Sequence, residues 1–337
     1  MTMGTLRFWT AFLLALLVMG LVACKEQVAP GATESKSAGA APIKVVATIG
    51  MITDVARTIG GERAQVTGLM GEGVDPHLYK ASPGDMRLMA DADLLLYAGL
   101  HLEGRMADVI VKMAAKKSVV QVTETIDEKL LRSPPEFAGH FDPHVWFDVS
   151  LWSKAAERIR DALIEKDPAG KAVYEANAAA YTAQLAALHE YAKSTLATIP
   201  ADKRVMVTAH DAFGYFGRAY GLEVLAIQGI STDSEASLKD INSLVDTLVA
   251  GKIPAVFIES SVPRKTVDAL VEGARSRGHE IKIGGELFSD AMGAQDTPEG
   301  TYIGMVLHNV DTITKALGGT VPSQKPAAMQ TPAQENR

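Results

Sequence analysis

Two Asp-Pro-His tripeptides, at residues 75–77 and 142–144, are the clearest sign of prepared chemistry in this sequence. Proline fixes the backbone directly before each imidazole, which suits a side chain held ready as a ligand. His77 follows a glycine-rich loop, MGEGVDPH, and His144 opens the run HVWFD. Two further residues belong with them by type: His210, closing VMVTAH, and Asp290, in GGELFSDA. Three imidazole nitrogens and one carboxylate make a complete donor set for a borderline divalent ion. Taken singly, each of the four reads as a solvated or capping residue. Their common placement carries the metal reading.

That placement comes from the strands. Apolar runs fall into two sets of four: 43–49, 63–70, 92–99 and 118–124, then 205–210, 222–229, 254–260 and 279–285. Near-continuous stretches such as VVATI, DLLLY and AVFIE suit strands buried on both faces of a parallel sheet. Helical patterns separate most of them, so the fold class is α/β: two β/α lobes, each around a roughly four-stranded parallel sheet. Ser82-Pro83-Gly84-Asp85 starts a helix with a capping serine, and Thr232-x-x-Glu235 offers a capping box for the helix before Val245. Between the sets, residues 171–199 contain no Gly or Pro. Val173, Tyr181, Leu185, Leu188, Ala192 and Leu196 give this stretch one apolar stripe, so it reads as a bridging helix about 40 Å long. Such a bridge hinges less readily than a loop, and a fairly rigid pair of lobes is expected. All four candidate ligands then sit at or beyond the carboxyl ends of strands, where open α/β sheets bind ligands. Two come from each lobe.

The termini set the compartment. Arg7 precedes an apolar run, 8–23, too short for a bilayer span and suited to a signal-peptide core. It ends in Leu21-Val22-Ala23-Cys24, resembling a lipobox in which Cys24 is lipidated and held at a membrane. Cys24 is the only cysteine, so neither an internal disulfide nor a thiolate metal site is available. The expected organisation is a signal peptide (1–23), a tether (24–42), a metal-binding lobe (43–167), a bridging helix (168–199), a second metal-binding lobe (200–317) and a disordered tail (318–337). A formal net charge of −7 argues against nucleic acid as a partner.

Longer runs then carry a resemblance. PHVWFDVSLW (143–152), VTAHDAFGYFGRAYG (207–221), FIESSVP (257–263) and GGELFSDAMG (284–293) are similar to the TroA-type (cluster A-I) periplasmic lipoproteins of zinc and manganese ABC importers. The similarity runs from Ile43 to about Leu317. It implies a lipid-anchored, extracytoplasmic, monomeric carrier that passes one Zn2+ or Mn2+ to an ABC permease. It also places the ligands at His77, His144, His210 and Asp290. Dedicated zinc members have a long His- and Asp-rich loop before the second ligand, whereas here residues 132–142 hold a single histidine, His140. Dedicated manganese members often carry Glu at the third position, where this chain has His210. Either ion is expected, zinc binding tighter because affinity rises along the divalent series well above manganese. Capture should weaken as pH falls through the histidine range.

Other residues read less sharply. His140 is either a solvated loop residue or an accessory ligand. Glu259, ending a strand, either orients an imidazole or makes an ordinary structural hydrogen bond. His101, His189, His279 and His308 read as surface or core histidines, and Trp146, Phe147 and Trp152 as lobe packing that also keeps water from His144. Two rival functions remain: a surface adhesin stabilised by its metal, and a zinc hydrolase. The hydrolase needs an open coordination position and a base, and no His-Glu-x-x-His helix appears. The chain therefore reads as a binding protein with no catalytic residues.

Overall fold

The computed structural model describes residues 41–137 and 139–329. The expected signal peptide, Cys24 and the tether up to residue 40 lie outside them. Among the described residues no helix is long and apolar enough to cross a membrane.

The first lobe has a four-stranded parallel sheet of β1 (Ile43–Ala47), β2 (Ala64–Gly68), β3 (Leu94–Tyr97) and β4 (Ser118–Gln121), in the order β2-β1-β3-β4. β1, with buried Val45-Val46-Ala47, and β3, with buried Leu94-Leu95-Leu96, occupy the two central places, where both faces are covered. Around it lie α1 (Gly50–Gly60), α2 (Pro83–Asp91), α3 (Ala107–Ala114) and α4 (Val149–Lys166). The Ser82 start is as expected: its hydroxyl accepts from Asp85 N while Asp85 reaches back to Ser82 N, with Pro83 at the first helical position.

The second lobe carries β5 (Val205–His210), α6 (Gly214–Tyr220), β6 (Glu223–Gln228), α7 (Leu238–Gly251), β7 (Ala255–Glu259), α8 (Lys265–Ser276), β8 (Lys282–Leu287) and α9 (Tyr302–Ala316). All four strands are present, but they form two parallel pairs, β5-β6 and β7-β8, with β5 and β7 side by side. At the carboxyl end of that seam, His210 N donates to the Glu259 side chain (2.9 Å), so a side chain takes the place of a ladder bond. The cap of α7 also differs from expectation. Ser237 and Asp240 form the box, and the helix starts at Leu238. Thr232 is engaged elsewhere, its hydroxyl donating to Asp75 of the first lobe (2.6 Å).

The bridge is α5 (Lys171–Leu196), 26 residues and therefore about 39 Å long. It packs on α1 and α4 at one end and on α6 and α9 at the other. Its inward stripe is Tyr174, Ala178, Tyr181, Leu185, Leu188, Ala192 and Leu196; Val173, expected inside, is 43% exposed. Tyr174 wins the inner place because its ring is buried while its hydroxyl donates to Asp167 (2.7 Å), which Arg63 also grips with two bonds.

The apolar core is continuous across the lobes. One cluster joins β1, β3, α1, α4 and α5 to Phe213, Phe216, Phe257, Leu287 and α9; a smaller cluster lies wholly within the second lobe. Trp152 of α4 lies against Tyr302 of α9, and Asp54 of α1 accepts the Tyr302 backbone N–H (3.0 Å). The tail differs from its expected disorder: up to residue 329 it lies along α5. Lys325 pairs with Asp311 (2.5 Å), and Met329 is buried in the main core.

A core shared by both lobes should melt as one unit. Trp152→Ala is expected to cost about 3–5 kcal/mol. Unfolding in urea, followed by far-UV circular dichroism and by fluorescence of the remaining tryptophans, should keep a single coincident transition. Two separated transitions would contradict a shared core.

Candidate metal centre

The four residues singled out in the sequence converge. His144 and His210 are wholly buried, and His77 and Asp290 are each 2% exposed. Their donor atoms all lie within 4.8 Å of one another, and among the described residues no other group of three or more such side chains does so. His77 Nε2 is 3.3 Å from His144 Nε2, His144 Nε2 is 3.3 Å from Asp290 Oδ1, and Asp290 Oδ2 lies 3.2 Å from His210 Nε2 and 3.5 Å from His77 Nε2. Tetrahedral donors bonded at about 2.0–2.1 Å stand roughly 3.3 Å apart, so these edges have the length a zinc-sized ion needs. His210 Nε2 and both Asp290 oxygens are buried without a hydrogen-bond partner. Orphaned buried acceptors around one point are costly unless a cation fills it.

Each donor is aimed by its local structure. His144 lies between β4 and α4, and Asp142 holds it twice: Oδ1 accepts from the His144 backbone N (3.0 Å) and pairs with its ring Nδ1 (2.9 Å). Asp142 is itself paired with Arg132, and its backbone carbonyl accepts from the Tyr215 hydroxyl (2.9 Å). His210 ends β5, and Glu259 repeats the device across the seam, with Oε1 on the backbone N (2.9 Å) and Oε2 on Nδ1 (2.5 Å). In both rings a carboxylate on Nδ1 fixes the proton there and leaves the Nε2 lone pair pointing inward. His77, in the loop between β2 and α2, has the same local turn: Asp75 Oδ1 accepts from its backbone N (2.9 Å). Asp290 follows β8. Its loop is held by Asn309, which exchanges two hydrogen bonds with the Phe288 backbone (3.0 and 2.7 Å), and by Trp146 of the opposite lobe, whose indole donates to Ser289 O (3.1 Å).

Glu259 thus orients an imidazole, one of the two readings its position left open. Asp142, Asp75 and Asn309 were not recognised in the sequence as positioning groups. The signal for the two aspartates was present, since each stands two residues before its histidine. For Asn309, on a helix remote in sequence, there was none. Trp146 packs on His144 at 5.2 Å between ring centroids, as expected, and also ties the lobes together. His140 is exposed and takes no part in the cluster.

The electrostatics describe an exchange of cations. Burial disfavours both imidazolium forms, but the Asp290 and Asp142 carboxylates outweigh it at His144 and push its pKa up to about 9. Burial is likewise outweighed at His210 by Glu259 and Asp290, which raise its pKa well above the ordinary value. His77 goes the other way, down to about 3, because burial and the two neighbouring imidazoles overcome the attraction of Asp290. Burial would raise the Asp290 pKa, yet His210 and His144 hold it well below the carboxylate range. The surrounding carboxylates thus favour the protonated form of two of the imidazoles when no metal is bound, and a divalent ion competes with those protons for the same nitrogens.

Fold and site together define a two-lobed α/β binding protein whose buried His3Asp group suits one metal ion. Residues 45–316 match the family described as zinc-uptake complex component A, periplasmic, and the chain belongs to that family. It is 50% identical over 273 residues to the zinc-binding protein TroA of Treponema pallidum, covering 81% of this chain and 88% of that one. It is 48% identical over 275 residues to the manganese-binding lipoprotein MntA of Bacillus subtilis, covering 82% and 90%. The solved structure of the periplasmic zinc-binding protein TroA from Treponema pallidum superposes with a TM-score of 0.80 at 49% identity, over 82% of this chain and 99% of that one.

Zinc binding at pH 7 is expected to release about two protons, from His144 and His210. The sign follows from the raised His144 pKa: below about 9 its proton competes with the ion, so apparent affinity climbs with pH until then. This moves the sensitive window above the ordinary histidine range. Calorimetry in buffers of differing ionisation enthalpy reads the proton count. Release of less than one proton, or an affinity flat between about pH 7 and 9, would contradict the exchange.

Proposed function

We propose that this chain captures one Zn2+ or Mn2+ outside the cytoplasm, at His77, His144, His210 and Asp290, and hands it to the permease of a metal ABC importer. The observation that carries this reading is the convergence of three inward imidazole nitrogens and an orphaned, fully buried carboxylate at spacings of 3.2–3.5 Å. The relatives support the cargo and the role, since they are named zinc-binding, manganese-binding and metal ABC transporter substrate-binding proteins. In this reading Cys24 carries lipid that tethers a monomer to the membrane surface. Residues 43–167 and 200–317 act as the two lobes, with 168–199 as the rigid bridge.

The protein acts as a carrier and not as an enzyme. Zinc hydrolysis requires a coordination position open to water and substrate, whereas this cluster is enclosed by both lobes and filled by protein donors. The relatives named metal ABC transporter substrate-binding lipoproteins favour a carrier over an adhesin that keeps its metal for stability alone. Three nitrogens favour zinc over manganese. Both Asp290 oxygens face the cluster, supplying the additional oxygen donor that manganese favours.

Metal content of the purified chain, measured by mass spectrometry after dialysis against each ion and then against metal-free buffer, is expected to be one per chain. In His77→Ala and Asp290→Ala it should fall below a tenth of that. Full occupancy in both variants would refute the ligand assignment. In a competition titration zinc should displace manganese, and the reverse order would overturn the preference.

A further inference from the structure

His140 lies outside the buried centre, but it is not isolated. Its ring meets that of His101, with centroids 4.1 Å apart at 66°. The two come from segments distant in sequence, the turn after β3 and the loop between β4 and α4, and both side chains are exposed. They stand on the wall of a surface cavity of about 380 Å3, also lined by Tyr97, Glu103, Gln121 and Phe141.

The turn presenting His101 is built at a cost. Gly99, Leu100 and His101 have φ of 83°, 53° and 68°, and consecutive non-glycine residues in the left-handed region are uncommon and strained. What holds them is Glu103, a buried carboxyl that accepts from Ala98 N (2.7 Å), Gly99 N (3.1 Å) and the Thr48 hydroxyl (2.6 Å). The backbone that carries His101 is thereby held in place beside His140. His140 is carried on the strand of loop that continues into Asp142 and His144. Four residues of chain span at most about 14 Å, so His140 cannot be far from the buried centre.

We propose that His101 and His140 form a second, weaker site for a nitrogen-seeking divalent ion at the rim of the first lobe. In the buried centre, imidazoles aimed at one point have centroids 5.3, 5.4 and 6.2 Å apart. The surface pair must therefore open by about 1 Å (5.3 against 4.1 Å), which two exposed side chains do by rotating about χ1 and χ2. Two imidazoles with water in the remaining positions suit Zn2+, Ni2+ or Cu2+ and serve Mn2+ poorly. With only two protein donors the ion exchanges readily, unlike one enclosed by four.

The test uses the full chain already holding one equivalent of zinc. Titration with further Zn2+, read by calorimetry and by equilibrium dialysis, is expected to show a second, weaker event of one ion per chain, and titration with Mn2+ to show none. His101→Asn keeps a residue that tolerates positive φ while removing the imidazole, and His140→Ala removes the partner. Each should abolish the second event and leave the first unchanged. A single event in the parent chain, or a second event that survives in either variant, would overturn the proposal.

Discussion

An ionised carboxylate with no solvent around it must have positive charge beside it, and Asp290 imposes that condition on the whole interlobe region. Taking such a group out of water costs several kcal/mol or more unless it is paired. Three imidazoles surround it, and two of them carry further carboxylates on their outer nitrogens. The cluster is therefore an anionic socket lined with imidazole donors, which favours a cation at its centre. Its affinity for metal and its need for counter-charge have the same origin.

The rest of the fold keeps that socket from relaxing. Were the lobes free to part, water would solvate Asp290 and the preference for a bare ion would fade. The continuous core, the long α5 and the docking of α9 on the first lobe all resist parting. At the rim, Asp75–Thr232 and Arg105–Asp233 add polar ties between the lobes. The exposed Arg105–Asp233 pair contributes little to stability, while the buried apolar contacts carry most of it. Pinning is uneven around the site. Asp142 and Glu259 each hold one imidazole through both its backbone N and its ring Nδ1, and Asn309 and Trp146 hold the backbone just before Asp290, whereas Asp75 reaches only the backbone N of His77.

Much of this was legible in the sequence, because parallel strands buried on both faces must be continuously apolar and their carboxyl ends are where ligands gather. All eight strands were anticipated, as was the bridge, and the four donors were grouped from position alone. What was hidden depends on tertiary contacts. Thr232 matches a capping pattern but spends its hydroxyl on the other lobe. Tyr174 displaces Val173 from the stripe because an Asp167–Arg63 pair waits for its hydroxyl. The described residues after Gly318, up to residue 329, look too polar to order, and Lys325 and Met329 anchor them. Asn309 cannot be assigned to the site until α9 is placed beside β8.

The most direct measurement is X-ray absorption at the zinc edge of the loaded protein, which counts and identifies the atoms bonded to the ion. The account predicts three imidazole nitrogens at about 2.0–2.1 Å and carboxylate oxygen at about 2.0–2.2 Å, with no sulfur. A shell with fewer than three imidazoles, or one dominated by water, would contradict it.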